Sequence, residues 1–323
     1  MISQIEAKLL CGEELTFDEA VRLAGLQGKQ VHQLIALAGK ITGLYADGQI
    51  DLCSIINAKS GLCSEDCKFC AQSAHYHTGI KHYELLDKET ILLAAEQVKA
   101  RGIHRFSLVT SGKELPEDDF ARALDIYRSL QKTGLKLCAS LGLLDERRAL
   151  QLKEAGVSTY HHNLETARSY YHEICTTHSY EQRVATIQAA RRAGLKVCSG
   201  GILSVGETMQ QRVELAFELK ELHVDSVPIN ILNPIAGTPL AGQEILPPLE
   251  IIKAICLFRL VMPRVSLRFA GGRKEALGEL RSLGFLAGIT GAIAGDFLTT
   301  AGDEIEKEIT LIKGLGYSLA TGD

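Results

Sequence analysis

Along most of the chain, short apolar runs alternate with longer amphipathic stretches. The candidate strands are Leu52–Asn57, His104–Val109, Leu135–Ser140, Val157–His162, Leu195–Gly200, Val224–Ile229, Val265–Phe269 and Gly291–Ala294. The candidate helices between them are Lys88–Ala100, Glu117–Lys132, Glu146–Glu154, Tyr180–Ala193, Thr208–Leu222, Leu249–Val261 and Arg273–Leu283. This alternation indicates βαβ units and a parallel sheet. Eight candidate strands predict an α/β fold of the closed (β/α)8 TIM type, and the weak last strand leaves an incomplete barrel open.

The first part of the chain has a different pattern, with apolar residues at helical spacing from residue 3 to about residue 46. Within it, Thr16 and Glu19 have the spacing of a capping box, in which each side chain bonds the other's backbone amide. We therefore expect residues 1–46 to form a helical cap and residues 47–323 to form the barrel with a C-terminal tail.

A near-repeat supports the barrel. The segment Thr133–Cys138 resembles Ala193–Cys198, and each has a glycine that can end a helix, followed by a short strand that carries a cysteine. The same βα unit is thus used twice, two strands apart.

Composition narrows the possible functions. The chain has 323 residues, 39 acidic and 35 basic side chains and a net charge of -4, so it lacks the basic excess of a nucleic-acid-binding protein. It shows neither a membrane-spanning apolar run nor a secretion signal, which predicts a cytoplasmic protein without a membrane partner. In that reducing compartment, nine cysteines indicate metal binding or catalysis rather than disulfides.

The strongest motif is a cysteine triad, Cys63, Cys67 and Cys70, with C-x3-C-x2-C spacing. It follows the first strand, at the barrel end where active sites lie. Three thiolates can hold three irons of a cubane cluster and leave the fourth iron, which has no nearby cysteine, open for chemistry. The alternatives are a zinc site completed by His75 and His77, or an electron-transfer cluster with a remote fourth ligand.

This motif in a barrel of this size resembles the radical S-adenosylmethionine superfamily. The resemblance implies a [4Fe-4S] cluster on Cys63, Cys67 and Cys70, with S-adenosylmethionine chelating the fourth iron and Phe69 lining its site. One electron then cleaves a carbon–sulfur bond and releases a 5′-deoxyadenosyl radical, which abstracts hydrogen from an unactivated carbon.

Two polar residues end the fourth candidate strand. Asn163 and Glu165 lie two residues apart and point the same way on an extended strand, where they suit a ribose diol. A cap for the following helix is the alternative role of Glu165. Taken alone, Arg183 is typical of a solvated helix residue.

Within the superfamily, the chain resembles the biotin synthases from Asn57–Gly61 to Thr300, most distinctively over Asn230–Leu240. The roles that this resemblance implies concern the cofactor and the substrate. For the cofactor it implies contacts from Asn163 and Glu165 to the ribose, from Arg183 to the carboxylate, and from Gly206 and Glu207 to the methionine part. For dethiobiotin, the substrate, it implies contacts from Asn163, Asn230 and Thr299.

The family also keeps an auxiliary iron–sulfur cluster, [2Fe-2S] or a variant, which is thought to donate the inserted sulfur. Of its usual ligands, two cysteines match Cys138 and Cys198 and the arginine matches Arg268, but the third cysteine position is Ser107. Since alternate strands share each interior layer of a barrel, we hypothesise that Cys53 replaces the missing ligand. Core packing is the alternative role for each of these cysteines.

The resemblance implies a sulfurtransferase that forms biotin, and it implies several partners. These are an electron donor such as flavodoxin or ferredoxin, iron–sulfur assembly proteins and a second copy of the chain in a homodimer. Two rival hypotheses are a radical enzyme of hydrogenase-maturation type and a non-enzymatic iron–sulfur or zinc module.

Overall fold

The computed structural model describes residues 1–295, 297–299 and 305–321, so Thr300, where the expected family match ends, lies outside the described residues. The helices are α1 (Ile2–Leu10), α2 (Phe17–Ala24), α3 (Lys29–Tyr45), α4 (Lys88–Ala100), α5 (Glu117–Leu130), α6 (Glu146–Glu154), α7 (Tyr180–Arg192), α8 (Met209–Glu221), α9 (Pro248–Val261), α10 (Arg273–Leu277), α11 (Arg281–Leu286) and α12 (Ile305–Gly314). The strands are β1 (Gln49–Lys59), β2 (Arg105–Thr110), β3 (Lys136–Ser140), β4 (Val157–His161), β5 (Lys196–Cys198), β6 (Gly201–Leu203), β7 (Ser226–Ile231), β8 (Ser266–Phe269), β9 (Gly291–Ile293) and β10 (Ser318–Leu319).

These strands close into a parallel barrel. The strands pair in the order β1-β2-β3-β4-β5-β7-β8-β9. The last of them, β9, pairs with β1 in the register Cys53↔Ile293, which excludes the incomplete barrel. The fifth position is shared by β5 and β6, which both pair with β7 on either side of a break at Ser199–Gly200. The predicted (β/α)8 barrel is confirmed.

Helix starts follow local side-chain chemistry. Asp87 and Asp145 accept the amides of the third residue of α4 and α6, whereas Ser179 and Thr208 form capping boxes at α7 and α8. The predicted capping box of Thr16 is also present, at α2. These polar caps lie beside the ends of the strands, so they fix where each βα loop ends.

The N-terminal segment forms three helices, of which α2 and α3 pack against the outer helices α8 and α9. Phe17 meets Phe217 edge to face, with 5.5 Å between ring centroids. At the far end of the chain, β10 pairs with the start of β1. Among the helices described, none is long and apolar enough to span a bilayer.

Candidate active site

The cysteine triad lies in the loop after β1, at the carboxyl end of the barrel strands. Cys67 is buried, and Cys63 and Cys70 are half-buried. The loop folds back on itself, because the amide of Cys63 bonds to the carbonyl of Gln72 and the amide of Ala74 bonds to the carbonyl of Cys63. All three cysteines line a cavity of about 260 Å³, so a group held by their sulfurs faces an enclosed space.

The three sulfurs of the triad are not gathered around a point that one ion could occupy. Among the residues that the structure describes, the only three metal-ligating side chains whose atoms lie within 4.8 Å of one another are Cys67, Cys175 and His178. The triad therefore does not form the shell of a single ion in this structure. His75 and His77 are exposed and do not gather with the triad, so the zinc site expected from them as an alternative does not form.

Arg183, on α7, is buried and lines the same cavity, unlike the solvated residue that its helix pattern alone suggests. Its Nε donates to the hydroxyl of Tyr171 at 2.7 Å, and its Nη1 donates to the carbonyl of Asn163 at 2.8 Å. Nη1 also lies 3.5 Å from Oε1 of Glu165. These contacts hold a fixed positive charge at the wall of the cavity.

Asn163 and Glu165 lie just after β4, and both line the cavity. Glu165 has a left-handed backbone with φ +71°, which turns its carboxylate inward, and its Oε2 has no hydrogen-bond partner among the described residues. Burial raises the pKa of Glu165, although the charge of Arg183 opposes the shift. An unsatisfied buried carboxylate oxygen is ready to accept a hydroxyl of a ligand.

A second cavity, of about 270 Å³, adjoins the first, and Phe69 and Asn163 line both. Asn230 and Thr299 line its walls, and Cys198 and Arg268 also face it. Asn230 is held by two backbone contacts, since its Oδ1 accepts from the amide of Gly271 and its Nδ2 donates to the carbonyl of Gly201. The structure thus brings together the residues expected at the substrate.

Gly206 and Glu207 line neither cavity. The carboxylate of Glu207 accepts the amides of Ser204 and Val205 and the Nε of Arg212, which lies 2.5 Å from Oε1. The carboxylate of Glu207 therefore organises the loop after β6.

Inside the barrel, below the second cavity, Cys53, Cys138 and Cys198 are buried together with Arg268. A hydrogen bond with Cys138, together with burial, raises the pKa of Cys53. Burial opposes the ionisation of Cys138, but the thiol of Cys53 and the charge of His161 hold its pKa well below the ordinary value. Cys53 and Cys138, on the first and third strands, therefore interact inside the barrel.

Arg268 is held by Asp51, whose carboxylate contacts Nη2 and whose carbonyl accepts from Nη1 at 3.0 Å. Burial opposes the ionisation of Asp51, but the hydrogen bond from His104 and the charge of Arg268 keep its pKa well below the usual range. Nearby, Ser107 is fully buried, and within the described part of the chain its hydroxyl has no partner. Buried thiols and an unpartnered polar group inside the barrel are ligand types that an iron–sulfur cluster takes, and of this group Cys198 and Arg268 line the second cavity.

Sequence reasoning missed two residues beside the triad. Cys175 lies in the loop before α7, and its Sγ is 3.7 Å from Sγ of Cys67. His178 contacts both Cys175 and Glu65. The expectation that no further cysteine is near the triad is therefore wrong, and the C-x2-H spacing of Cys175 and His178 was the available signal.

The chain matches two family models, the Radical SAM superfamily over residues 58–234 and the Biotin and Thiamin Synthesis associated domain over residues 228–318. It is 51% identical to a biotin synthase of Heliobacterium modesticaldum, over 99% of this chain and 98% of that protein. It is 52% identical to a biotin synthase of Acetivibrio thermocellus, over 98% of this chain and 99% of that protein.

Solved structures share the fold at lower identity. A methylornithine synthase superposes with a TM-score of 0.87 at 21% identity, covering 98% of both chains. The FeFe-hydrogenase maturase HydG from Carboxydothermus hydrogenoformans superposes with a TM-score of 0.82 at 18% identity, over 98% of this chain and 78% of that chain. The hypotheses of a hydrogenase-maturation enzyme and of a non-enzymatic module are not favoured, because the chain is about 50% identical over its full length to several biotin synthases. The chain belongs to the biotin synthase family of radical S-adenosylmethionine enzymes.

Proposed function

We propose that the two adjoining cavities are successive parts of one active site, in which sulfur is inserted into dethiobiotin to form biotin. The observation that carries this proposal is their arrangement. Cys63, Cys67 and Cys70 line one cavity, Cys198 faces the other, and Asn163 lines both. A radical made in the first cavity therefore reaches a substrate that lies against Cys198 in the second.

Cys63, Cys67 and Cys70 hold the [4Fe-4S] cluster of the family. When bound, the cluster supplies one electron to S-adenosylmethionine and so yields the 5′-deoxyadenosyl radical. The cysteines are exposed enough for loading and enclosed enough to keep water from the radical.

We assign protein residues to the polar parts of S-adenosylmethionine one part at a time. Glu165 accepts the ribose hydroxyls with its unpartnered Oε2, and Asn163 supports the same ring. Arg183 binds the carboxylate of the methionine part, since it is the fixed cation of this cavity wall. Gly206 and Glu207 act by holding the loop after β6 beside the methionine part.

Dethiobiotin occupies the second cavity. Its ureido ring binds the amide of Asn230, and its carboxylate binds Thr299 at the exposed rim. Apolar residues such as Ile55 and Ile202 line the wall between them and suit the aliphatic chain.

The auxiliary cluster, which gives up the inserted sulfur, is held by Cys53, Cys138 and Cys198, with Arg268 as the fourth contact. Cys53 takes the place of the cysteine that Ser107 lacks. The buried cation of Arg268 offsets the negative charge of a thiolate-bound cluster, and Asp51 fixes its orientation.

An enzyme of this family takes its electrons from a small redox protein such as flavodoxin or ferredoxin. Iron–sulfur assembly proteins rebuild the auxiliary cluster. The chain works as a homodimer in the cytoplasm, where its free cysteines stay reduced.

The proposed domain division is a helical cap over residues 1–46 and a barrel domain with its C-terminal tail over residues 47–323.

The test of the cofactor site is anaerobic cleavage of S-adenosylmethionine by the reduced, reconstituted protein, measured as 5′-deoxyadenosine. We expect Cys63→Ala to abolish cleavage and the exposed-cysteine control Cys11→Ala to retain it. A wild-type protein that carries its four-iron cluster but releases no 5′-deoxyadenosine would overturn the proposal.

A further inference from the structure

The loop of the cysteine triad is tied to the loop before α7. The amide of Lys68 donates to the carbonyl of Ile174 at 2.9 Å, and the carboxylate of Asp66 accepts the amides of Thr176 and Thr177. These hydrogen bonds between the two loops hold Cys175 next to Cys67 in the interior, where the exposed fractions of the two residues are 3% and 7%.

The distances within this group match a mononuclear metal shell. Two thiolates on one tetrahedral Zn²⁺, each with a bond of about 2.3 Å, lie about 3.8 Å apart, and a thiolate and an imidazole nitrogen lie about 3.6 Å apart. The sulfurs of Cys67 and Cys175 are 3.7 Å apart, and Nε2 of His178 is 4.0 Å from Sγ of Cys175. The three ligand atoms fall within 4.8 Å of one another.

Glu65 contacts the imidazole of His178 and holds it in place. Its buried Oε2 contacts Nδ1 of His178 and accepts the hydroxyl of Thr177 at 2.8 Å. Nδ1 lies 3.3 Å and Nε2 lies 4.0 Å from Sγ of Cys175. If Nδ1 donates its proton to Glu65, Nε2 carries the free lone pair. A carboxylate–histidine pair of this kind is the usual support of a metal-bound imidazole.

We propose that Cys67, Cys175 and His178 form a binding site for one Zn²⁺ ion in the chain that lacks its four-iron cluster. Zn²⁺ replaces the protons of two thiols, which pass to solvent, and water takes the fourth position. Thiolate and imidazole ligands select a soft or borderline divalent ion. Since Cys67 is also assigned to the cluster under the proposed function, zinc and the cluster exclude each other, and bound zinc blocks cluster assembly.

The first arm of the test measures metal binding by the anaerobic, cluster-free full chain, with Co²⁺ as the spectroscopic probe. We expect one tetrahedral Co²⁺ with sulfur-to-cobalt charge transfer, displaced by Zn²⁺. Cys175→Ala should weaken binding by at least about 100-fold, because loss of a direct ligand costs more than the roughly 10–100-fold lost with an outer-shell partner. The buried-cysteine control Cys256→Ala and the double variant Cys63→Ala/Cys70→Ala should keep the site.

The second arm adds one equivalent of Zn²⁺ before iron and sulfide, and compares each protein's iron content with its own zinc-free sample. Zinc should suppress cluster formation in the wild type and lose this effect in Cys175→Ala. Binding that survives Cys175→Ala but disappears in Cys63→Ala/Cys70→Ala would place zinc on the triad and overturn the inference. Neither arm depends on biotin formation, so the inference and the proposed function fail separately.

Discussion

At the scale of single residues, the most informative group is the carboxylate of Glu165. The residue is half-buried, one of its carboxylate oxygens has no partner among the described residues, and its backbone adopts φ +71°. For a residue other than glycine this conformation is uncommon and costs free energy, which is typical of a functional site. The alternative of a helix cap does not explain a carboxylate oxygen that is left without a partner beside the cavity.

We predict that Glu165→Gln weakens the binding of S-adenosylmethionine by about tenfold or more, because a charged hydrogen bond is lost. In the wild type, acidification protonates the carboxylate, and burial makes this happen at a higher pH than for an ordinary glutamate. The wild-type affinity should therefore fall as the pH drops through this raised pKa, before an ordinary glutamate would be protonated.

Equilibrium dialysis of the variant over the same fall in pH provides the control. The affinity of Glu165→Gln should lack this component of the pH dependence, because its amide does not titrate. Identical pH profiles for the two proteins would remove Glu165 from the cofactor site.

A second residue-scale prediction concerns Cys53. Replacing it by serine should lower the iron and sulfide of the auxiliary cluster and leave the cluster of the triad intact, because serine is a poor ligand for soft iron–sulfur centres. Cys256→Ser, also buried but on α9, is the matched control. Auxiliary spectra that match the wild type would show that Cys53 only packs the core.

At this scale, sequence reasoning could find the residues whose spacing or strand position defines them, such as the cysteine triad and Asn163. It could not find Cys175, because its nearness to Cys67 depends on two loops that meet in space, 108 positions apart in the chain. The helix pattern alone also missed Arg183, which the family resemblance assigned, since helix periodicity does not reveal a cation that turns toward a cavity.

At the scale of elements, the break between β5 and β6 shapes the site. The amides of Leu164 and Glu165 both donate to the carbonyl of Gly200, and the amide of Gly200 donates to Oδ1 of Asn163. Because the strand is interrupted here, the amide and carbonyl of Gly200 bond to the loop after β4 rather than to a neighbouring strand. These bonds hold the loop in the conformation that includes the left-handed backbone of Glu165. The sequence pattern predicted one strand over Leu195–Gly200 and did not predict β6, which begins just beyond that range.

Gly200 has no room for a side chain, since an added Cβ would lie 2.0 Å from the carbonyl oxygen of Pro228. Overpacking costs about 1–3 kcal/mol. We therefore predict that Gly200→Ala lowers the melting temperature by several degrees and also weakens S-adenosylmethionine binding. Gly242→Ala, whose Cβ would meet nothing within 4 Å, is the control, and equal melting temperatures for the two variants would refute this role of Gly200.

At the scale of the whole molecule, the barrel was predictable because its strands and helices alternate with little ambiguity, and helices such as α4 and α6 begin and end where the pattern indicates. The three-helix division of the N-terminal segment, α12 and the pairing of β10 with β1 were not, because contacts with the barrel determine them. The closed barrel is what brings Cys63, Cys67 and Cys70 to one cavity, and Cys198 with Arg268 to the cavity that adjoins it.

The measurement that tests this account most directly is an anaerobic turnover with S-adenosylmethionine, a reductant and dethiobiotin, in protein whose auxiliary cluster carries isotopically labelled sulfide. The account predicts labelled biotin, together with one 5′-deoxyadenosine for each carbon–hydrogen bond broken. Unlabelled biotin would contradict the role of the inner cysteines, and the absence of both products from a protein with both clusters intact would contradict the central claim.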